Sequence, residues 1–544
     1  MTEADEVFDV AIVGYGPVGS VLAILLGQLG HRVVVLERWP TPYPLPRAVH
    51  FDDEVARILQ ACGIGSQLPA ITEVPDHYEW RNAEGRTLLR FGLGGTGISG
   101  WPHGSMFNQP QLEDVLNDRA RALPTVTIRP GAEVTAIVDD GHVVSVEYRT
   151  VIVEPGAAMP TPTGEHAQLR ARYVVGCDGC NSMVRDQIDT HITDLGFFYD
   201  WLIVDVILNE ARVFEPTNLQ LCDPARPTTV VSGGPGRRRW EFMRLPSETI
   251  GQLNDTTTAW QLLEPWDVTP ANARIERHAV YTFQARWVDQ WRDRHVLLAG
   301  DAAHQMPPFA GQGMCAGLRD AANLHWKLDL VLRGHAGDEL LDTYGQERKP
   351  SVEAAIGLSM ELGKVICVPD PAAAAARDEA MLAEAARQPI AHIPPLPGIT
   401  DGVRLVDDPL AGQLFLQANA TLEGRTDLLD DLIGVGWRLI SIDQAVASAS
   451  PPELARWFAE LGGNVITIGP SGTVQDTDGA YRDWFSRHDV TTVLQRPDFH
   501  VFGTGRTPTD AGALLEQARS RIAPGVTHPA HDEGQDRHIE ASTS

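Results

Sequence analysis

Cysteine is scarce in this chain. There are six among 544 residues, at positions 62, 177, 180, 222, 315 and 367, and they follow no framework spacing. That excludes a disulfide-stapled secreted scaffold and leads us to expect reduced thiols in a cytoplasmic protein. Basic residues are also in deficit, 44 against 72 acidic ones, for a formal net charge of -28. Such a balance disfavours nucleic acid or an anionic membrane as a partner, since both are bound through basic patches. No apolar run reaches the roughly 18 residues a bilayer crossing needs. Met1 to Glu6 is acidic, and the apolar run from Val7 belongs to a strand–turn–helix, so no secretion leader is expected.

What is present is ordinary globular material. Hydrophobic residues make up 43% and charged residues 21%, in a chain long enough for several domains. Phe8 to Val13 reads as a strand and Gly14 to Gly19 as a tight turn. An apolar helix follows, capped by Gly30, and His31 to Glu37 reads as a second strand. The continuous apolar run of that strand suits a parallel strand covered on both faces.

Val126 to Arg149 alternates like an antiparallel hairpin turning at Asp139-Asp140-Gly141, and residues 155–168 read as a loop. Strand-like runs between about 196 and 285, without a βαβ rhythm, predict a separate antiparallel sheet. A strand at His295 to Ala299, a motif loop and a long helix near Ala316 to Leu332 come next. A helical stretch opens at Pro371, and Pro389, Pro394, Pro395 and Pro397 mark a linker. Beyond it, strands at Trp437–Ile442, Val465–Ile468 and Thr491–Gln495 alternate with helices at Pro452–Gly462 and Tyr481–His488. The residues from about 527 read as a disordered tail.

Three segments carry chemistry. Gly14-Tyr15-Gly16-Pro17-Val18-Gly19 is a G-x-G-x-x-G turn between a strand and a helix. Its first glycine permits the turn, the second admits a pyrophosphate, and the third lets helix and strand pack. The helix N-terminus then offers N–H groups to phosphates. Glu37, with Arg38 beside it, ends the next strand, where an acid accepts ribose hydroxyls. The second segment, Cys177-Asp178-Gly179-Cys180-Asn181-Ser182, follows the strand Tyr173–Val175. The third, Gly300-Asp301-Ala302-Ala303-His304-Gln305-Met306-Pro307-Pro308, follows Val296–Leu298 and runs on through Gly311-Gln312-Gly313-Met314 into a helix. A helix start of that kind stabilises negative charge on a ring placed before it.

In order and spacing the three segments resemble the fingerprints of the group A flavoprotein aromatic hydroxylases, the class of para-hydroxybenzoate hydroxylase and phenol hydroxylase. The resemblance implies that Asp178 and Gly179 serve FAD and NADH or NADPH, and that Asp301 bonds the flavin ribityl chain. Arg47 and Gln109 would touch FAD, and Pro308 would wall the flavin next to the substrate. Gln312, Gly313 and Met314 would face its pyrimidine edge. A narrower similarity, over nearly the whole chain, is to 3-(3-hydroxyphenyl)propionate hydroxylases. It rests on Arg47 to His50 with Asp52-Asp53-Glu54, Leu221 to Pro227, Arg239 to Met243, Arg319 to Leu324 and Arg496-Pro497-Asp498.

The implied fold is a mixed α/β chain with three parts. A Rossmann-like FAD-binding domain takes 1–75, 106–190 and 286–395, and an antiparallel-sheet substrate domain takes 76–105 and 191–285. A thioredoxin-like domain spans 400–526, and since no cysteine lies beyond Cys367 it does no thiol exchange.

The implied reaction is hydroxylation of a small phenolic substrate by O2 through a C4a-hydroperoxyflavin. The first expectation is 3-(3-hydroxyphenyl)propionate or a related phenolic acid. The rival is tailoring of a polyketide-like or other large aromatic. For the phenol proton the candidates are His50 and His304, with Tyr199 behind them, while Arg239 would point toward the flavin. Arg226, Arg244 and Arg286 are candidate carboxylate ligands. No metal ligand is expected, and a homo-oligomer is open. Two further readings stand: a disulfide reductase built on Cys177-x-x-Cys180, and a flavin-binding protein without catalysis.

Overall fold

A computed structural model of the chain describes residues 6–41, 47–154, 159–388, 390–391 and 395–523. The residues of the expected tail, together with Pro389 and Pro394, lie outside them. Among the described residues no helix is long and apolar enough to cross a membrane.

The first βαβ unit forms as its pattern dictates. β1 (Val7–Val13) leads through the glycine turn into α1 (Pro17–Gln28) and on to β2 (Val33–Glu37). Val10, Ala11, Ile12, Val33, Val34 and Val35 are completely buried, as strands covered on both faces require. Next come the short β3 (His50–Asp52), then α2 (Asp53–Ala61), whose first turn is capped by the Asp52 carboxylate on Val55 N at 3.1 Å. α3 (Gln109–Arg121) is capped by Asn108.

The strand-like run at Val126 divides, contrary to the single hairpin expected there. β4 (Val126–Pro130) pairs parallel with β2, and the hairpin proper is Ala132–Asp139 with Val144–Ile152. Of the loop expected over 155–168, residues 155–158 lie outside the described residues and 161–168 are strand. β5 (Thr161–Gly176) starts at Thr161 and pairs antiparallel with Val144–Ile152. Positions 161–168 are exposed on both faces, so this stretch lacks the apolar alternation by which a strand is read from sequence.

A seven-stranded sheet occupies the middle of the chain. It uses His77–Arg81, Thr87–Gly92, β6 (Tyr199–Leu208), β7 (Asn218–Leu221), β8 (Thr228–Ser232), β9 (Arg237–Met243) and β10 (Ala273–Phe283). All neighbours are antiparallel except β7 with His77–Arg81. Trp240, Phe242, Leu202, Val204 and Val206 fill one face with core. Asp205, Arg239 and Glu241 alternate onto the other.

β11 (Val296–Leu298) then returns to the first sheet beside β5. It is followed by α4 (Gly313–Leu332), α5 (Glu339–Ile366) and α6 (Pro371–Arg387). The first sheet runs β11-β5-β1-β2-β4 through its parallel core. Register sets Val13 level with Gly176, and Gly176 level with Leu298, so three strands end together. From β1 the chain goes to β2 on one side and later to β5 on the other. The crevice at that switch point is where open α/β sheets bind ligands.

The last unit is a four-stranded mixed sheet. β12 (Arg438–Ser441) lies between β13 (Asn464–Thr467), parallel to it, and β14 (Thr492–Gln495), which pairs antiparallel with β15 (Val501–Gly505). Helices Pro452–Glu460, Ala480–His488 and Asp510–Ile522 complete the thioredoxin-like arrangement.

Candidate functional site

The three motif loops leave the sheet at one level and touch one another. A Cβ on Gly14, whose φ is +101°, would sit 2.4 Å from the carbonyl oxygen of Cys177. A Cβ on Gly19 would lie 2.1 Å from the Gly14 oxygen. Val18 closes the third side, since a Cβ on Gly300 or Gly317 would come within 3.0 or 2.6 Å of its Cγ2. Gly16 and Gly179 differ: a Cβ on either meets nothing within 4 Å. Their open sides face free space, not packed protein.

Polar groups around this space are arranged for an anionic, hydroxyl-rich molecule. α1 begins at Pro17 with no side-chain cap, as does α4 after Gln312. Both helix starts therefore hold unsatisfied N–H groups. Glu37 accepts from Tyr15 N at 2.7 Å and Trp39 N at 2.8 Å, which fixes its carboxylate at the end of β2 with lone pairs left over. Half-buried Asp301 accepts from Gln305 Nε2 only at its backbone carbonyl, at 3.4 Å, and its carboxylate accepts no hydrogen bond among the described residues. It lines a small cavity with Arg185, Arg286, His304 and Gln305. Uncapped helix starts, open glycine faces and an unpartnered carboxylate fit an adenine–flavin dinucleotide.

Asp178 is turned inward. It accepts from the hydroxyl of Ser182 and from Met183 N at 2.7 Å and Val184 N at 3.1 Å, holding the second motif in shape. Burial raises its carboxyl above the ordinary range against those hydrogen bonds. Gln109 accepts from both Arg47 N, 3.0 Å, and Ala48 N, 2.7 Å. Arg38 is exposed and lies against Trp39.

His50 stands at the third motif. A Cβ on Gly311 would lie 3.1 Å from its Nδ1 and one on Gly104 2.9 Å from its Nε2. Burial lowers its pKa, against the nearby Asp52 carboxylate, so the imidazole is neutral at pH 7. Burial alone would raise Asp52, but the Arg319 guanidinium outweighs it and holds that carboxyl low. Arg319 bonds Asp52 at 2.7 Å, Gln312 at 2.9 Å and Glu54 as well, and Gln312 Nε2 reaches Asp52 at 3.1 Å. Sequence reasoning assigned no site role to Arg319, Asp52 or Glu54. The signal was an adjacent charged pair, Arg319-Asp320, in the first two turns of the helix that the third motif runs into.

His304 is elsewhere. It is 2% exposed, bonded through Nε2 to Asp320 at 2.7 Å, and packed on Trp291 at 5.2 Å. Asp320 also accepts from Arg348 at 2.9 Å and Gly300 N at 3.0 Å. This is a brace beneath the third motif, in which the His304 ring is held between Asp320 and Trp291 while its Nδ1 has no partner among the described residues. Pro308 opens a turn whose Phe309 packs on Trp201, Phe283 and Phe197 at 5.7–6.3 Å. The Ser359 hydroxyl donates to Pro307 O at 2.9 Å and fixes the turn. Tyr199 belongs to the same aromatic wall, its hydroxyl pKa raised by burial.

Arg239 is bound rather than free. Asp205 takes it at 2.6 and 3.1 Å, and it donates to the Arg47 carbonyl at 2.6 Å. Asp205 also takes Arg277 at 3.0 Å. Glu241, in the same cluster, is raised by burial. Neither Arg226, paired with Glu248, nor Arg244, paired with Asp200, is free to bind a carboxylate. Arg286 holds Gln305 at 2.9 Å and borders the cavity at Asp301. A larger cleft of about 530 Å³ between Asp289–Arg292 and α5 contains no motif residue. The site is located by where the motifs meet, not by cavity size.

Cys177 has its thiol pushed well above the ordinary value by burial and Asp178. It is therefore a poor nucleophile at neutral pH, which speaks against a redox dithiol.

Comparison with known proteins agrees with this geometry. The FAD binding domain family model matches residues 7–359 and the HcaD C-terminal domain model matches residues 412–521. The chain is 39% identical over 527 residues to a probable NADH-specific resorcinol 4-hydroxylase of Rhodococcus jostii (strain RHA1), with 96% of each chain covered. It is 32% identical over 550 residues to a 3-(3-hydroxy-phenyl)propionate/3-hydroxycinnamic acid hydroxylase of Klebsiella pneumoniae, again covering 96% of each. Among solved structures, aklavinone-11 hydroxylase in complex with FAD and aklavinone superposes with a TM-score of 0.76 at 24% identity, over 96% of this chain and 99% of that one.

Proposed function

The chain belongs to the FAD-dependent aromatic hydroxylases, and on that premise we propose that its substrate is a small phenol bearing a polar group at the meta position, hydroxylated at the expense of NADH. One observation carries the site assignment: three motif loops converge on open glycine faces at the ends of β1, β5 and β11. The substrate class is supported by the names of the two relatives, since resorcinol and 3-(3-hydroxyphenyl)propionate are both meta-substituted phenols. A NADH-specific relative supports the reductant.

FAD, when bound and reduced, supplies the activated oxygen that the protein itself lacks. The chain's own residues bind, orient and exclude water. Glu37 accepts ribose hydroxyls, the start of α1 at Gly16 takes the pyrophosphate, and Asp301 takes the ribityl hydroxyls. Arg47 and Gln109 hold the loop beside the cofactor. The uncapped start of α4 at Gln312, Gly313 and Met314 meets the pyrimidine edge. We assign 1–75, 106–190 and 286–395 to cofactor binding, 76–105 and 191–285 to the substrate, and 400–526 to a supporting unit.

The phenol lies between the Pro308–Phe309 turn and the polar face of the seven-stranded sheet. The aromatic wall of Trp201, Phe283 and Phe309 excludes water there. The Arg239, Glu241 and Arg277 cluster offers that face its polarity. His50 takes the phenol proton at Nε2, with Nδ1 turned to Gly311. Its buried, neutral imidazole is in the required state at pH 7.

The test is NADH oxidation across a panel of resorcinol, 3-(3-hydroxyphenyl)propionate, unsubstituted phenol and a tricyclic polyketide phenol. Stimulation by the first two and not by the tricycle is expected. Turnover of the tricycle alone would replace this reading with tailoring of a large aromatic.

A further inference from the structure

We propose that the C-terminal unit sets the geometry of the flavin corner, acting through two fully buried ion clusters on the helices that leave that corner. The inference rests on the cofactor reading above. α2 and α4 diverge from one junction, where Asp52, at the start of α2, is joined to Gln312, at the start of α4, directly and through Arg319. Each helix is then gripped further along by the same unit.

On α2, Arg57 presents its fork to Asp430 at 2.6 and 3.1 Å and its remaining nitrogen to Phe415 O at 2.7 Å. Its guanidinium lies 4.3 Å from the Phe499 ring centre, and Arg438 completes the cluster on Asp430. On α4, Asn323 bonds Asp498 at 3.0 Å and Trp326 bonds it at 3.2 Å. Arg496 bridges Asp498 and Glu347 of α5, both at 2.6 Å, and Lys327 meets Glu347 at 2.8 Å. The side chains of Arg57, Arg496, Glu347 and Lys327 are 0% exposed.

Buried ion pairs add little net stability over apolar packing of the same volume, but their bonding directions are strict. Simple adhesion of one domain to another would be served as well by leucines. Two bidentate clusters on two helices fix angle and register instead. The quantity they fix is the separation of His50 on β3 from the uncapped start of α4. Lacking cysteine, the unit contributes position rather than thiol chemistry.

The experiment uses full-length protein stripped of FAD and carrying Asp430→Asn, Arg57→Lys or Glu347→Gln, none of which touches the cofactor. FAD affinity is read by quenching of flavin fluorescence, and backbone order by amide hydrogen exchange. The expected result is FAD binding weakened about tenfold, with faster exchange at 50–61 and 311–320 while 492–505 keep their protection. Arg57→Lys retains the charge and loses the fork, so it serves if Asp430→Asn fails to fold. Unchanged FAD affinity and exchange in the folded variants would overturn the proposal, as would loosening of 492–505 to the same degree. Failure of the unsubstituted chain to bind FAD would instead overturn the cofactor reading, and this inference with it.

Discussion

Gly14 and Cys177 meet backbone to backbone, leaving no room for even a methyl group: a Cβ at Gly14 would fall 2.4 Å from the Cys177 carbonyl oxygen. The contact ties the first motif to the second, and it separates two glycines that look equivalent in sequence.

Gly14→Ala combines a φ of +101° with that clash. The expected cost is roughly 1–3 kcal/mol for the backbone and roughly 1–3 kcal/mol for overpacking. The variant should be recovered in low yield and melt well below the parent, whether or not FAD is added.

Gly16→Ala should do the opposite. Gly16 has φ of -71° and nothing within 4 Å of a built Cβ, so the apo-protein should melt like the parent. Its FAD affinity should fall tenfold or more, about 1.4 kcal/mol, because the methyl occupies the place of the pyrophosphate. Unaltered affinity by fluorescence titration would contradict the placement of the cofactor on α1.

His50 and His304 part company in pH dependence. Burial depresses the His50 pKa, so its neutral form persists through pH 7 and the acid limb of kcat/KM should lie below about 6.5, the ordinary value. His50→Asn should remove that limb and cost about 100-fold. His304→Asn, which loosens the Asp320 brace, should cost roughly 1–3 kcal/mol of stability and leave the limb in place. A limb that vanishes with His304 instead would exchange their roles.

Cys177→Ser should retain FAD and substrate-stimulated NADH oxidation, since burial keeps that thiol protonated. Loss of activity in stopped assays with FAD still bound would revive a dithiol mechanism.

Acid should weaken the join between the last unit and the rest. Burial would raise Glu347 and Asp430, but Arg496 and Lys327 around the first, and Arg57 and Arg438 around the second, hold each at about 2. Both are depressed in the folded state, so the unfolded chain takes up protons first. Their stabilisation is complete above about pH 5 and is lost as pH falls toward about 2. Urea midpoints measured across that window should decline, and Glu347→Gln should flatten the decline.

How much of this was legible follows from what each feature depends on. The Gly14–Gly19 turn was legible because backbone sterics select glycine locally, and the strand and helix around it bury most of their apolar positions. The family resemblance rested on such local motifs. Thr161–Gln168 was misread as loop because its order comes from pairing with Val144–Ile152 and not from its own pattern. The Asp52–Arg319 contact joins residues 267 apart, and Arg239 meets Asp205 only through the register of β6 on β9. His304 shared a motif with Asp301, but only the fold shows its ring turned to Asp320. Composition and spacing do not carry such pairings.

The central claim, oxygen insertion by a flavin held where the three motifs meet, is tested most directly by turnover under isotopically heavy O2 with FAD, NADH and resorcinol or 3-(3-hydroxyphenyl)propionate. Mass spectrometry of the product should show one heavy oxygen atom for each NADH consumed. NADH consumption that is not stimulated by any phenol, with all oxygen released as peroxide and no labelled product, would contradict it.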